Sequence, residues 1–129
     1  AMLPEADVAV LCVPLTEETR GMIGAEQFAA MPNGSYLINI ARGPVVDTEA
    51  LMTALQDGTL AGAGLDVTDP EPLPAEHPLW QIENLIITPH VAARSSLTRG
   101  DWDRLYRENL SRFAAGEPLL NVVDKSAGY

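Results

Sequence analysis

Three side chains in this 129-residue sequence are suited to proton transfer and carboxylate binding, and they lie near the ends of apolar runs. Arg42 follows the run Ser35–Ile40, and a guanidinium there can hold a carboxylate through two parallel hydrogen bonds. His90 follows the run Leu85–Thr88, and an imidazole can move protons near neutral pH. Glu71 lies between two prolines, which stiffen the backbone that carries its carboxylate. An arginine, a glutamate and a histidine of this kind suit hydride transfer coupled to proton transfer.

Each of these side chains also has a structural interpretation. Arg42 could pair with a surface acid, Glu71 could be a solvated loop acid, and His90 could be a structural histidine. Asp66 directly follows the run Leu60–Leu65. Its carboxylate could accept a hydrogen bond from a cofactor amide at this position, or it could cap a turn. The common position of these residues after apolar runs is the observation that favours a functional site.

Several other motifs do not carry a chemical signal. Gly62-Ala-Gly64 lies inside an apolar run and lacks the third glycine of a dinucleotide-binding fingerprint, so it indicates tight packing. Cys12 lies in an apolar run and is predicted to be a buried small hydrophobe. The sequence has no His/Cys cluster with metal-ligand spacing and no nucleophile elbow, so no metal site is predicted.

Composition narrows the class of protein. The chain has 18 acidic and 8 basic residues, a formal net charge of −10, and 47% hydrophobic residues. The acidic excess argues against nucleic acid and anionic membranes as partners, because both require a basic surface. The single cysteine and the absence of a signal-peptide pattern predict a cytoplasmic protein.

Apolar runs alternate with amphipathic stretches along the chain. Strands are predicted at 7–13, 35–40, 60–65 and 85–88, and helices at 25–31, 48–57 and from 95 or 96 to 115. Asp47 is the expected N-cap of the second helix and Gly58 its C-terminal glycine. This alternation predicts an α/β fold with a Rossmann-like parallel sheet and helices on both faces. Ligands of such sheets bind at the carboxyl ends of the strands.

Taken together, the segments resemble the D-2-hydroxyacid dehydrogenase family, in the later part of its nucleotide-binding domain. The segments that carry the resemblance include Leu3–Asp7, Pro14–Thr19, Leu37–Gly43, Leu60–Val67, Glu71–Pro74, His77–Trp80, Asn84–His90 and Asn121–Asp124. The resemblance implies that the sheet is incomplete, because the first βαβ unit with its glycine-rich loop is absent. It also implies that residues 1–94 belong to the nucleotide-binding domain, whereas residues 95–129 form a long helix and tail that return to the substrate domain.

The resemblance further implies roles for individual residues. Arg42 would hold the carboxylate of a small 2-keto acid such as glyoxylate or hydroxypyruvate, and His90 would protonate its carbonyl oxygen. Glu71 would pair with the imidazole and favour its charged form. Asp66 would contact the nicotinamide amide of NAD or NADP. Arg42 and His90 also match family positions that line the cofactor, and the other matching positions are Pro14, Thr19, Ala41 and Ala92. Trp80 matches a family position near the substrate pocket.

Two other readings remain open for this sequence. One is a non-catalytic, dinucleotide-responsive binding module, as in the corepressor branch of the family, and the other is an inert fragment. We expect the parent protein to be an enzyme and the 129-residue chain alone to be inactive. A half sheet leaves an unpaired strand edge, so we also expect the chain to form a homo-oligomer such as a dimer.

Overall fold

The computed structural model describes residues 2–127, except for the side chains of residues 96–98. The chain divides into two compact units, Ala1–His90 and Val91–Tyr129.

The described part of the first unit contains a four-stranded parallel sheet. Its strands are β1 (Val8–Leu11), β2 (Ser35–Asn39), β3 (Leu60–Leu65) and β4 (Leu85–Ile87), and they lie side by side in chain order. The prediction of a Rossmann-like parallel sheet is confirmed. The first strand is shorter than predicted.

Two α-helices connect the strands of this unit, α1 (Ala25–Ala30) and α2 (Thr48–Gln56). The Asp47 carboxylate accepts the Ala50 N–H at 3.0 Å, which confirms the predicted N-cap of α2. Gly58 has φ +81° in the left-handed region, as its position after the helix predicts. The Thr59 backbone N–H donates to the Asp57 carboxylate and lowers the pKa of that group.

The core lies between these helices and one face of the sheet. Phe28 of α1 and Leu51 of α2 are 1% exposed and pack in one cluster with Leu37 of β2. Complete burial of such a side chain contributes about 1.5–3 kcal/mol. This cluster holds the strands in the register that aligns their carboxyl ends.

The other face of the sheet is uncovered within this unit, so the expectation of helices on both faces is not met in residues 2–90. Val8, Val10 and Tyr36 are about half exposed, and Ile86 is 70% exposed. Cys12 is exposed as well, and the prediction that it is buried is wrong. Its side chain falls in phase with Val8 and Val10, because alternate residues of a strand share a face.

The second unit contains α3 (Ser96–Ala115), which confirms the predicted long helix. The Asn109 side chain accepts the Leu120 N–H at 2.7 Å and donates to the Leu120 carbonyl at 3.1 Å, so it ties the tail to the helix. Four apolar side chains at helical spacing are exposed on α3, namely Trp102, Tyr106, Leu110 and Phe113.

Among the described residues, no helix combines the length and apolar composition that crossing a membrane requires.

Candidate active site

A cavity of about 440 Å³ lies beyond the carboxyl ends of β3 and β4. Its wall is formed by Asp66, Thr68, Glu71, Pro72, Leu73, Trp80, Ile87, Thr88, Pro89 and His90. Parallel strands bring their carboxyl ends to one edge of the sheet, which is why residues that follow different strands meet here.

His90 and Glu71 form a direct pair in this cavity. The imidazole Nδ1 lies 2.7 Å from Glu71 Oε1. Both side chains are less than half exposed, at 45% for His90 and 38% for Glu71. The pair joins the segment after β4 to the proline-rich loop after β3. A carboxylate at Nδ1 holds the ring in one orientation and leaves Nε2 to exchange a proton with a ligand.

The backbone of His90 has an unusual conformation. Its φ of +54° lies in the left-handed region, and its N–H donates to the Thr88 carbonyl at 3.0 Å. Histidine is enriched in this region relative to most residues, yet the conformation persists only where the surroundings hold it. The tight turn after Thr88 therefore contributes to the direction in which the imidazole faces.

Asp66 forms the inner wall of the cavity. Its side chain is 6% exposed, and its carboxylate accepts a hydrogen bond from the Thr88 hydroxyl. Its backbone N–H donates to the Asn39 carbonyl at 2.9 Å, which continues the pairing of β2 and β3. A buried carboxylate at this position can accept a hydrogen bond from an amide of a ligand.

Arg42 lies at the carboxyl end of β2 and is not part of the cavity wall described above. Its Nη1 donates to the Ala41 carbonyl at 2.7 Å. The loop that carries it is shaped by Asn39, whose side chain accepts the Ala41 N–H and donates to the Arg42 carbonyl, both at 3.0 Å. Asn39 is 1% exposed, so these two bonds satisfy a buried amide.

The Arg42 loop is in tight contact with the loop that leads to Glu71. Gly43 is buried, and a Cβ atom added to it would collide with the Thr68 carbonyl group. The Thr68 hydroxyl in turn donates to the Pro70 carbonyl at 2.8 Å. Because only glycine allows this close approach, Gly43 sets the spacing between the two loops.

The predicted cofactor residues Pro14 and Thr19 lie in the loop after β1. The Thr19 hydroxyl donates to the Pro14 carbonyl at 2.7 Å and accepts the Thr16 N–H at 2.8 Å, so it closes this loop. The Thr16 side chain also lowers the pKa of Glu18 through a hydrogen bond. Ala41 is 4% exposed, and its side chain belongs to the core.

Ala92 lies in the second unit, in a turn, and the cofactor roles of Pro14, Thr19, Ala41 and Ala92 remain predictions.

The cavity also has an apolar wall, formed by Pro72, Leu73, Trp80 and Ile87. Trp80 is 48% exposed, and its indole N–H donates to the Pro74 carbonyl at 2.8 Å. His77 accepts the Leu79 N–H and caps the 3-10 helix Pro78–Gln81. This wall could contact the carbon skeleton of a small ligand.

Two residues of the site were not identified from sequence. Asn39 ends β2 as a polar residue on the core face, and Thr88 ends the apolar run of β4 beside Pro89. Asn39 could have been identified from the sequence, because it is a polar residue at a position where the strand pattern predicts a buried side chain. The partner of Thr88 is 22 residues away, so its role depends on tertiary contact.

The described residues contain no group of three or more His, Cys, Asp or Glu side chains that could hold a metal ion. The arrangement instead supports acid–base chemistry by one imidazole, oriented by a carboxylate, beside a buried second carboxylate.

Comparison with known proteins identifies the family. Residues 1–92 match the family model described as D-isomer specific 2-hydroxyacid dehydrogenase, NAD binding domain. A glyoxylate reductase of Korarchaeum cryptofilum is 46% identical over 124 residues, which are 96% of this chain and 37% of the relative. The chain therefore spans less than half the length of this curated relative.

Solved structures give the same result. A D-isomer specific 2-hydroxyacid dehydrogenase from Xanthobacter autotrophicus, in complex with NADPH and MES, superposes with TM-score 0.86 at 45% identity, covering 99% of this chain and 54% of that one. An NADPH-dependent glyoxylate/hydroxypyruvate reductase from Sinorhizobium meliloti, in complex with NADP and sulfate, gives TM-score 0.86 at 37% identity, covering 98% and 41%. The chain thus belongs to the D-isomer specific 2-hydroxyacid dehydrogenase family and contains part of its NAD-binding domain.

Proposed function

We propose that the protein to which this chain belongs is an NAD(P)-dependent D-2-hydroxyacid dehydrogenase that reduces a small 2-keto acid such as glyoxylate or hydroxypyruvate. The observation that carries the proposal is the 2.7 Å pair of His90 Nδ1 and Glu71 Oε1 in one cavity with the buried carboxylate of Asp66. Family membership and the names of the relatives support the same reaction.

His90 is the proposed general acid and base. In the reducing direction, Nε2 donates its proton to the carbonyl oxygen of the keto acid, so that oxygen becomes the hydroxyl of the product. Glu71 accepts the Nδ1–H bond and stabilises the positive charge that the imidazole carries before this transfer. In the oxidising direction, Nε2 of the neutral ring removes the hydroxyl proton.

Arg42 is the proposed binding group for the carboxylate of the substrate. A guanidinium presents five N–H donors in a fixed fork, and the contact of Nη1 with the Ala41 carbonyl leaves donors for a ligand. We propose that the same keto acid presents its carbonyl to the His90 imidazole. The apolar wall at Leu73 and Trp80 would cover its carbon chain.

Asp66 fits the nicotinamide end of a dinucleotide, because a buried carboxylate in the cavity can accept from a carboxamide N–H. The chemistry that bound NADH or NADPH would supply is hydride transfer to the carbonyl carbon. Pro14, Thr19, Ala41 and Ala92 are the further residues that we propose to contact the cofactor.

The test is turnover by the full-length gene product with glyoxylate and hydroxypyruvate, each with NADH and NADPH. Consumption of the reduced cofactor that depends on the keto acid, with formation of the hydroxy acid, is the expected result. Absence of turnover with every combination, despite binding of a reduced cofactor, would support a binding module in place of an enzyme. We also propose that the protein acts in the cytoplasm as a homodimer, which cell fractionation and light scattering would test.

A further inference from the structure

We propose that Thr88 is a positioning residue that fixes the Asp66 carboxylate for recognition of the nicotinamide carboxamide. This inference rests on the proposed function. The Thr88 hydroxyl donates to Asp66 Oδ1, and both residues form part of the cavity wall. No role follows for Thr88 from its sequence position alone, since its partner follows a different strand and lies 22 residues away.

The backbone around Thr88 makes its hydroxyl a fixed donor. Its N–H donates to the Leu65 carbonyl at 2.8 Å, and its carbonyl accepts the His90 N–H at 3.0 Å. Thr88 is therefore anchored to the residue that precedes Asp66 on one side and to the proposed general acid on the other. Its side chain and its backbone together connect the two polar groups of the cavity.

The direction of the hydrogen bond determines what Asp66 can do. A hydroxyl that donates to the carboxylate holds it as an acceptor, and an ionised carboxylate has about four acceptor positions. An N–H donor of a ligand, such as that of a carboxamide, is the kind of group that a carboxylate held as an acceptor binds. Without the hydroxyl, the carboxylate loses a charge-assisted bond that restricts its rotation.

The proposal predicts a ligand-specific effect of removing the hydroxyl. Thr88→Val keeps the shape and the branched β-carbon but removes the donor, whereas Thr88→Ser keeps the donor. Thr88 is exposed to the cavity, so neither change should unfold the protein. Thr88→Val should weaken binding only of a cofactor whose nicotinamide ring has an amide N–H.

The experiment measures dissociation constants of NADH and NADPH for the full-length gene product and both variants, by quenching of protein fluorescence. The matched probe is the reduced acetylpyridine analogue, which lacks the amide N–H. We expect Thr88→Val to weaken binding of the natural cofactor by about tenfold, and Thr88→Ser by no more than about twofold. Binding of the analogue should change by less than about twofold in either variant.

Equal weakening of the natural cofactor and the analogue by Thr88→Val would overturn the inference, because it would indicate a general structural role. Unchanged binding of both would also overturn it while leaving the proposed function intact. If the unmodified protein binds neither NADH nor NADPH, the proposed function and this inference both fail.

Discussion

At the scale of single residues, the contact between His90 and Glu71 carries the proposed mechanism, because it holds the imidazole beside a carboxylate in the cavity. Their 2.7 Å contact involves Nδ1, so the proposed proton exchange with substrate uses Nε2. The φ of +54° at His90 sets the direction in which its side chain leaves the turn after β4. Substitutions that preserve the shape of a side chain can therefore distinguish the effect of its charge from the effect of its position.

Glu71→Gln should lower kcat of the full-length protein by about 10²-fold. The amide can still accept the Nδ1–H bond, but it no longer stabilises a positive imidazole. Steady-state kinetics with the preferred keto acid would measure the change. Glu76→Gln, which changes an exposed acid of the same loop, is the matched control and should have little effect. Equal kinetics of the two variants would contradict the role assigned to Glu71.

Arg42→Lys should raise the KM for the keto acid by about tenfold or more, because the charge remains but the two-pronged hydrogen bond is lost. Affinity for the reduced cofactor should change far less. Arg20→Lys is the matched control, because it makes the same substitution at an exposed arginine in the loop after β1. A wild-type KM in the Arg42 variant would remove Arg42 from substrate binding.

At the scale of elements, the site depends on three loops that follow β2, β3 and β4. Asn39 shapes the first of them through its side chain and supports Asp66 through its backbone carbonyl. Gly43 then brings that loop into contact with the Thr68–Asp69 backbone. The distance between the arginine and the glutamate is thus set by packing between loops.

Gly43→Ala should reduce the free energy of unfolding by about 3 kcal/mol, because its methyl group would overlap the Thr68 carbonyl. It should also lower turnover, since the Glu71 loop must move. Gly24→Ala is the comparison within the same unit, because its Cβ would have its nearest neighbour at 3.7 Å. We expect that change to cost no more than about 1 kcal/mol in chemical denaturation. A Gly43→Ala protein as stable and active as the Gly24→Ala protein would refute the packing argument.

The sequence was sufficient to predict these elements because their signals are local. The apolar runs set the strands, and Asp47 and Gly58 mark the ends of α2. The pairing of Thr88 with Asp66 and the contact of Gly43 with Thr68 were not predictable, since each joins residues distant in sequence.

The position of Arg42 outside the wall formed by Asp66, Glu71 and His90 was also not evident from sequence. Residues that follow parallel strands are expected near one another, because the carboxyl ends of these strands lie at one edge of the sheet. The path of each loop then decides which of these residues are in contact. The exposure of Cys12 was not predictable for a related reason. An apolar run indicates a strand but does not indicate which face of the strand is covered by a helix.

At the scale of the whole molecule, the chain has two units with exposed apolar surface on each. The uncovered sheet face of the first unit carries Val8, Val10, Tyr36 and Ile86. Within the described sheet, β1 and β4 pair on one side only. Apolar faces and strand edges of this kind favour association with another chain.

The isolated 129-residue chain should therefore self-associate in solution, which light scattering after size separation would detect. Ile86→Asp should shift the population toward the monomer, because it places a charge on the uncovered face. Thr53→Asp adds the same charge to the exposed side of α2 and should leave the association unchanged. A stable, folded monomer of the unmodified chain would contradict this prediction.

Turnover of the full-length protein with His90→Asn tests the proposed role of His90 as general acid and base. Asparagine tolerates the left-handed backbone of this position, so the variant should keep its fold and its affinity for the reduced cofactor. It cannot donate or accept a proton as imidazole does, and we expect kcat to fall by about 10²–10⁴-fold. His77→Asn, at a position where asparagine can still cap the 3-10 helix, should retain wild-type turnover. Turnover by His90→Asn at a rate near that of the unmodified protein would contradict the role of His90 as general acid and base.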